Sequence, residues 1–110
     1  MFLPEEIVQL TNLTELHLGG NEVFVIQPEI TQLKNLTGLD LSYNKIEVIP
    51  PEIAQLTNLK VLNLCCTQIK VVPTEIAQMT KLERLYLQHN PVHDVPAVIR
   101  ASLPNLRIDS

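Results

Sequence analysis

A fixed spacing of leucines constrains the fold of this chain more than any other feature of the sequence. Three columns of leucines and one column that is mostly asparagine repeat every 23 residues. The columns are Leu13, Leu36, Leu59 and Leu82; Leu16, Leu39, Leu62 and Leu85; Leu18, Leu41, Leu64 and Leu87; and Asn21, Asn44, Thr67 and Asn90. Such a period indicates a stack of equivalent units, each burying its apolar face against its neighbours.

Each unit is predicted to contain a short strand followed by a tight turn. Apolar and polar residues alternate around Leu16 and Leu18, which is typical of a strand with one buried face. The strand of the next unit is expected to lie beside it in parallel. In the asparagine column, the side-chain amides are expected to bond to the backbone of their own and adjacent turns. Thr67 has fewer hydrogen-bonding options, so the third turn is expected to be looser.

The other half of each unit carries a signal for short helices. Proline stands near glutamate and isoleucine, a pattern that favours helix starts, in residues 4–7, 50–53 and 73–76. We therefore predict short helices or 3-10 turns on the outer side. In the last unit, the step from Ile99 to Leu103 is one residue longer than the step from Ile76 to Met79. The last outer helix is expected to be extended or bulged.

The unit resembles a known repeat family. It reads LxxLxLxxN, then an apolar residue, an Ile/Val-Pro step and Glu-Ile-x-x-Leu, as in LTGLDLSYNKIEVIPPEIAQL. This is similar to the leucine-rich-repeat family, in the 23-residue form found in Ras-suppressor-like and Scribble-like intracellular scaffolds and in bacterial repeat proteins. The resemblance implies an α/β solenoid with a short parallel sheet on its concave face and helices or 3-10 turns on its convex face. The matching residues face inward, so they indicate architecture rather than a partner.

The repeats define one domain, residues 1–110. We divide it into a partial repeat, 1–12; full repeats 13–35, 36–58, 59–81 and 82–105; and a partial C-terminal cap, 106–110. Phe2 and Leu3 occupy core columns, and the strand pattern is expected to stop incomplete in Arg107–Ser110. A strand edge at either end could pair with another copy, so we expect a monomer or a weak end-to-end homodimer. A fragment of a longer array remains an alternative.

Composition and charge narrow the partners and the compartment. The formal net charge is −4, which offers no basic surface for nucleic acid and fits a basic or neutral protein partner. Glu5 and Glu6 stand where a secretory signal would be positive, and no apolar run approaches membrane-spanning length. The neighbouring cysteines Cys65 and Cys66 have poor geometry for a disulfide, which favours a reducing compartment. We expect a soluble cytoplasmic protein; the alternative is a bacterial or parasite effector delivered into a host cell.

Two sequence triplets match the acceptor pattern for N-glycosylation. They are Asn12-Leu13-Thr14 and Asn35-Leu36-Thr37. Both fall at the same position of the repeat, where polar residues are expected. We therefore interpret the match as a coincidence of the repeat.

The strand residues that point outward across the concave face are the candidate binding residues, because packing fixes the inward ones. One row across the sheet is expected to contain His17, Asp40, Asn63 and Tyr86, with about 4.8 Å between strands. Tyrosine and arginine are enriched at binding hot spots. The candidate partner-binding residues are Glu15, His17, Asp40, Tyr43, Asn63, Arg84, Tyr86 and His89.

Two residues of the sequence could support catalysis instead of binding. Cys66 and His89 share a column in consecutive units, and a thiol beside an imidazole can act as a nucleophile, so a thiol-dependent enzyme is the remote alternative. The sequence supplies no evident oxyanion hole, orienting group or enclosed pocket for that chemistry. The histidines are scattered and no Cys-x-x-Cys spacing occurs. We predict a protein-binding scaffold with no enzymatic activity, cofactor or metal.

Overall fold

Five short parallel strands lie side by side along one face of the protein. The computed structural model describes residues 5–110, so the expected core positions of Phe2 and Leu3, and Pro4, lie outside the described residues. The strands follow chain order across one sheet. They are β1 (Glu15–His17), β2 (Gly38–Asp40), β3 (Val61–Asn63), β4 (Arg84–Tyr86) and β5 (Arg107–Asp109).

The strand register reproduces the sequence period. Each strand residue faces the residue 23 positions later, as in the pairs Leu39 with Leu62 and Leu62 with Leu85. The central residue of each strand therefore falls in one column and points into the core, while its two neighbours point to the concave surface. The predicted parallel sheet and its alternation are confirmed.

One aliphatic core runs through the whole stack. Leu59, Leu62 and Ile76, from three different parts of one coil, are each fully buried. The buried residues form a single cluster from Leu16 to Ile99. Burying one such side chain contributes about 1.5–3 kcal/mol, and each coil presents its apolar surface to the next.

Short helical turns form the opposite side of the stack. They are the 3-10 turns η1 (Glu5–Gln9), η2 (Pro28–Gln32), η3 (Pro51–Gln55) and η4 (Thr74–Gln78), and the α-helix α1 (Ala97–Ser102). In η4 the Met79 N–H donates to the carbonyl of Ile76 at 3.0 Å. In α1 the Leu103 N–H donates to the carbonyl of Ile99, four residues back, at 2.8 Å. The extra residue therefore converts a 3-10 turn into an α-helix, which confirms the predicted extension.

The C-terminal strand differs from expectation. The strand pattern was expected to stay incomplete, but β5 pairs with β4 over all three residues. Ile108 pairs with Leu85 and so continues the leucine column, and the Leu87 N–H donates to the carbonyl of Asp109 at 2.6 Å. Three residues with the correct alternation are enough to continue the sheet.

The predicted asparagine ladder is present beside the sheet. The Asn44 Oδ1 accepts hydrogen bonds from the N–H groups of Asn21 and Val23, at 3.1 and 2.8 Å. Its Nδ2 donates to the carbonyls of Leu18, Leu41 and Ser42 at 3.0, 2.9 and 3.1 Å. One buried amide therefore joins two consecutive turns, as expected from its two acceptor and two donor positions.

Thr67 joins the ladder in one direction. Its hydroxyl donates to Asn90 Oδ1 at 2.7 Å, in the following turn. Among the described residues, its side chain makes no hydrogen bond to the preceding turn, which Asn44 and Asn90 both reach. The ladder is thus interrupted between the second and third turns, and whether the third turn is looser stays a prediction.

A second asparagine ladder, which the sequence reasoning missed, lies at the other end of the strands. The Asn35 Nδ2 donates to the carbonyl of Thr11, and the Asn58 Nδ2 donates to the carbonyl of Lys34, both at 2.9 Å. The Lys81 Nζ continues the column by donating to Asn58 Oδ1 at 2.9 Å. Asn35, noted above for its glycosylation pattern, thus has a structural role between coils. The signal was its 23-residue spacing from Asn58.

Candidate functional site

The concave face carries the predicted row of polar side chains. The paired positions run from His17 through Asp40 and Asn63 to Tyr86, one residue from each of four neighbouring strands. The row continues to Asp109 on β5, which sequence reasoning missed because that strand was not expected. A parallel column on the same face contains Glu15, Gly38, Val61, Arg84 and Arg107. Six of the eight candidate residues therefore lie on one surface.

A shallow groove opens at the β1–β3 side of this face. Its volume is about 350 Å³, and its lining includes Glu15, His17, Asp40, Lys60 and Glu83. Gly38 lies at its floor, and a Cβ there would lie 3.4 Å from the Cγ of Glu15. The Glu15 side chain therefore lies over Gly38, in contact with the position that a Cβ would take.

Acidic groups surround His17 in the groove. Its Nε2 lies 3.2 Å from Glu15 Oε1, and its Nδ1 lies 4.0 Å from Asp40 Oδ2. Both His17 and Glu15 are largely exposed. Exposed ion pairs such as His17 with Glu15 stabilise the fold by only about 0–1 kcal/mol. Both side chains can therefore exchange this contact for one with a partner.

Asp40 and Asn63 also shape the backbone. Asp40 Oδ1 accepts hydrogen bonds from the N–H and the hydroxyl of Ser42, at 2.9 and 2.7 Å. Asn63 Oδ1 accepts a hydrogen bond from the Cys65 N–H at 3.1 Å. In both coils, a residue of the row therefore fixes the start of the turn while presenting its remaining polar atoms to the concave side.

Two candidate residues, Tyr43 and His89, lie in the turns beyond the strands. They share a column with Gly20 and Cys66, and all four have positive φ, between 55° and 75°. The sequence reasoning placed this column on the strands, and the left-handed backbone explains the difference. Tyr43 remains well exposed, with 67% of its surface accessible, at the rim of the concave face.

The two cysteines lie in a second shallow pocket of about 230 Å³. Tyr43, Tyr86 and His89 also line it. Burial, followed by a hydrogen bond with Cys66, raises the pKa of Cys65 to about 11. Contact with Cys66 also raises the pKa of Tyr43. Cys65 is therefore a protonated thiol at neutral pH, which is the opposite of what an activated nucleophile requires.

Cys66 and His89, the thiol and imidazole that share a column in consecutive units, line the same pocket. Both cysteines are free thiols. The pocket is an open depression on the sheet, and water has direct access to it.

The β4–β5 side of the face carries two arginines, Arg84 and Arg107. The Arg84 Nη1 donates to the Tyr86 hydroxyl oxygen at 3.1 Å, and this hydrogen bond raises the pKa of Arg84. The Arg107 Nε lies 3.3 Å from Asp109 Oδ2, although no donor reaches that oxygen with hydrogen-bond geometry. The Arg107 charge is thus paired within its own strand, whereas Arg84 keeps donors for a partner.

A column of exposed valines lies outside the concave face and was missed by sequence reasoning. Val25, Val48 and Val71 are spaced by 23 residues, in the segments that lead from the sheet to the outer turns. Their accessible fractions are 37%, 68% and 70%. The sequence signal was the 23-residue spacing of these valines, directly before the buried column of Ile26, Ile49 and Val72. The valines lie outside the strands, so strand alternation could not predict that they are exposed.

In the part of the chain that the structure describes, no three histidine, cysteine, aspartate or glutamate side chains converge on a position suited to a metal ion. None of the helices formed by residues 5–110 has the length and apolar character needed to cross a membrane.

The geometry defines a class of protein: an open solenoid whose coils repeat every 23 residues and whose concave sheet is solvent-accessible. Two family profiles match the chain: "Leucine Rich repeats (2 copies)" over residues 34–76 and "Leucine Rich repeat" over residues 9–23. The chain belongs to the leucine-rich-repeat family. A comparison with curated proteins finds no match.

Solved structures of the same fold come from several organisms. A leucine-rich-repeat protein of Leptospira interrogans is 45% identical, with a TM-score of 0.89 over 99% of this chain and 28% of that chain. Internalin C2 of Listeria monocytogenes is 27% identical, with a TM-score of 0.82 over 94% of this chain and 44% of that one. The plant peptide hormone receptor RGFR1, solved in complex with RGF2, is 27% identical, with a TM-score of 0.84 over 97% of this chain and 18% of that one. This chain thus spans less than half the length of each of these proteins.

Proposed function

We propose that this protein is a protein-binding module whose concave face contacts the partner. The observation that carries the proposal is the row from His17 to Tyr86, which places polar and aromatic side chains from four strands on one exposed surface. The fold is commonly used for protein interaction, and one structural neighbour was solved in a complex. A scaffold fixed by its core and carrying variable outward residues suits this role.

Two biological settings fit this role. The first is a cytoplasmic scaffold, which is supported by the free thiols of Cys65 and Cys66. The second is a bacterial effector that binds a host protein, which is supported by the likeness to the Leptospira and Listeria proteins. Expression of the chain in its own organism, with fractionation of cytoplasm and secreted material, distinguishes the two.

Other roles receive less support. The family is generally non-enzymatic, and the protonated Cys65 does not favour thiol catalysis. The negative net charge does not favour nucleic acid, and we propose no membrane partner. For the oligomeric state we propose a monomer or a weak end-to-end homodimer, because β1 and β5 each have one strand neighbour within the described residues. Light scattering over a range of concentrations tests this.

The concave-face proposal is tested by affinity capture from the cells in which the protein acts. The bait is the chain itself beside a double variant, Tyr86→Ala with Arg84→Ala, since these two side chains bond to each other on the surface. A partner bound by the native chain and lost by the double variant is the expected result. The melting temperature of the double variant should stay close to that of the native chain.

A matched control addresses a different surface. The double variant Val48→Thr with Val71→Thr changes two exposed valines away from the concave face and preserves β-branching. This variant should retain the partner. Loss of the partner through the valine change, with full retention by the Tyr86 and Arg84 variant, refutes binding through the concave face.

A further inference from the structure

One column of residues on the concave face changes the sign of its charge along the stack. The groove over β1–β3 is lined by three carboxylates, those of Glu15, Asp40 and Glu83, and by one lysine, Lys60. On β4 and β5, the column that begins with Glu15 instead carries Arg84 and Arg107. Between the two ends, Gly38 and Val61 are uncharged. The column therefore changes from negative through neutral to positive.

The acidic end has an oxygen available to a cation. Asp40 Oδ1 accepts two hydrogen bonds from Ser42. The ion-pair partner of Asp40 Oδ2 among residues 5–110 is His17, whose Nδ1 lies 4.0 Å away. The Glu15 carboxylate lies over Gly38 at the same end of the face, and its side chain is largely exposed. A lysine or arginine side chain entering the groove beside His17 therefore meets the carboxylates of Glu15 and Asp40.

The basic end has donors available to an anion. The Arg84 guanidinium uses one N–H for the Tyr86 hydroxyl, and it is exposed. A guanidinium has five N–H donors in a planar fork that matches a carboxylate. Arg107 is already compensated by Asp109 at 3.3 Å, so Arg84 is the principal anion-binding group of this end.

The geometry points to a partner segment of bipolar charge that lies across the strands, with a basic side chain in the Glu15–Asp40 groove and an acidic side chain at Arg84. The inference rests on the proposed function and adds the charge pattern of the partner. Asp40 and Arg84 are two strands apart and two residues apart along the strand direction, which corresponds to about 12 Å. An extended segment covers that distance in about three to four residues.

Synthetic peptides provide the probes. The block peptide carries two adjacent lysines and two adjacent glutamates separated by three serines. The mixed peptide has the same composition, with the lysines and glutamates alternating at one end, so the charges are not separated. Binding is measured by NMR chemical-shift titration of the native chain. The block peptide should bind about tenfold more tightly than the mixed peptide, and raising the salt concentration should reduce the difference.

Charge-neutral variants test the residues. Asp40→Asn keeps the oxygen that accepts from Ser42, since Asn63 holds the equivalent bond to Cys65 in the next coil. Asp40→Asn and Arg84→Gln should each weaken the block peptide about threefold, in the range of exposed ion pairs. Glu29→Gln and Arg100→Gln, on the convex side, serve as controls of the same chemistry and should change nothing.

The outcomes separate this inference from the proposed function. Equal binding of the two peptides, no binding of either one, or block-peptide binding that is insensitive to Asp40→Asn and Arg84→Gln overturns the bipolar partner. If affinity capture still yields a partner that the Tyr86 and Arg84 double variant loses, the protein-binding role stands without the charge pattern. If Glu29→Gln or Arg100→Gln abolishes binding of the block peptide, the assignment of the peptide site to the concave face is also refuted.

Discussion

Replacing Asn44 by alanine removes the central rung of the asparagine ladder, and its cost follows from the hydrogen bonds that it loses. The side chain makes five of them, and the bonds to Val23, Leu41 and Ser42 are buried. Each buried polar group left without a partner costs about 1–3 kcal/mol. Water can reach some of these groups after the change, so we expect a loss of about 3 kcal/mol in the free energy of unfolding.

The matched control is Asn21→Ala, in the same column. The Asn21 side chain makes one exposed hydrogen bond, from its Nδ2 to the carbonyl of Gly19 at 3.1 Å, and we expect that variant to lose about 0.5 kcal/mol or less. Urea unfolding followed by circular dichroism measures both, provided that the denaturant slopes agree. If Asn44→Ala and Asn21→Ala cost the same within error, the ladder does not stabilise the stack in the way described.

Three further predictions concern neighbouring positions. Thr67→Asn should raise the stability by about 1 kcal/mol in the same urea assay, because an amide there reaches the preceding turn as Asn44 does; an unchanged midpoint contradicts this. Cys66→Gly should raise it by about 0.5 kcal/mol, since φ is 60° there, whereas Gly20→Ala, at φ 75°, should lower it. Alkylation of Cys65 should increase with pH around a pKa of about 11. Because folding raises the pKa of Cys65, the protonated thiol stabilises the folded state below the ordinary thiol pKa, and this stabilisation is lost as the pH rises through about 11. A labelling midpoint near the ordinary thiol value would contradict the burial of Cys65.

The fold was predictable where a residue type has one structural solution. A leucine such as Leu62 in a 23-residue column has to face the core, and the parallel register then follows. The extra residue between Ile99 and Leu103 predicted an extended or bulged last helix, but the choice between a 3-10 turn and an α-helix was left open. The fifth strand was missed because residues 107–110 were expected to be too few to complete the strand pattern, whereas three residues are enough to pair with β4.

The site was predictable in its strand residues and less so in its turns. Alternation places Asp40 and Asn63 on the concave face without further information. The left-handed column was signalled by Gly20 and weakly by His89, since Tyr43 and Cys66 are not residues that favour positive φ. Sequence also gives no measure of exposure outside regular strands, so the valine column at Val48 and Val71 was not recognised as a surface feature.

The dual use of the concave row determines how this face can be probed. Asp40 and Asn63 each accept a hydrogen bond from the backbone two residues later, so alanine at either position alters the turn as well as the surface. Loss of binding in such variants would not separate recognition from folding. Tyr86 and Arg84 bond to each other, so their removal changes the surface while leaving the turn intact. For Asp40 the informative change is to asparagine, because it removes the charge and retains the acceptor on which the turn depends.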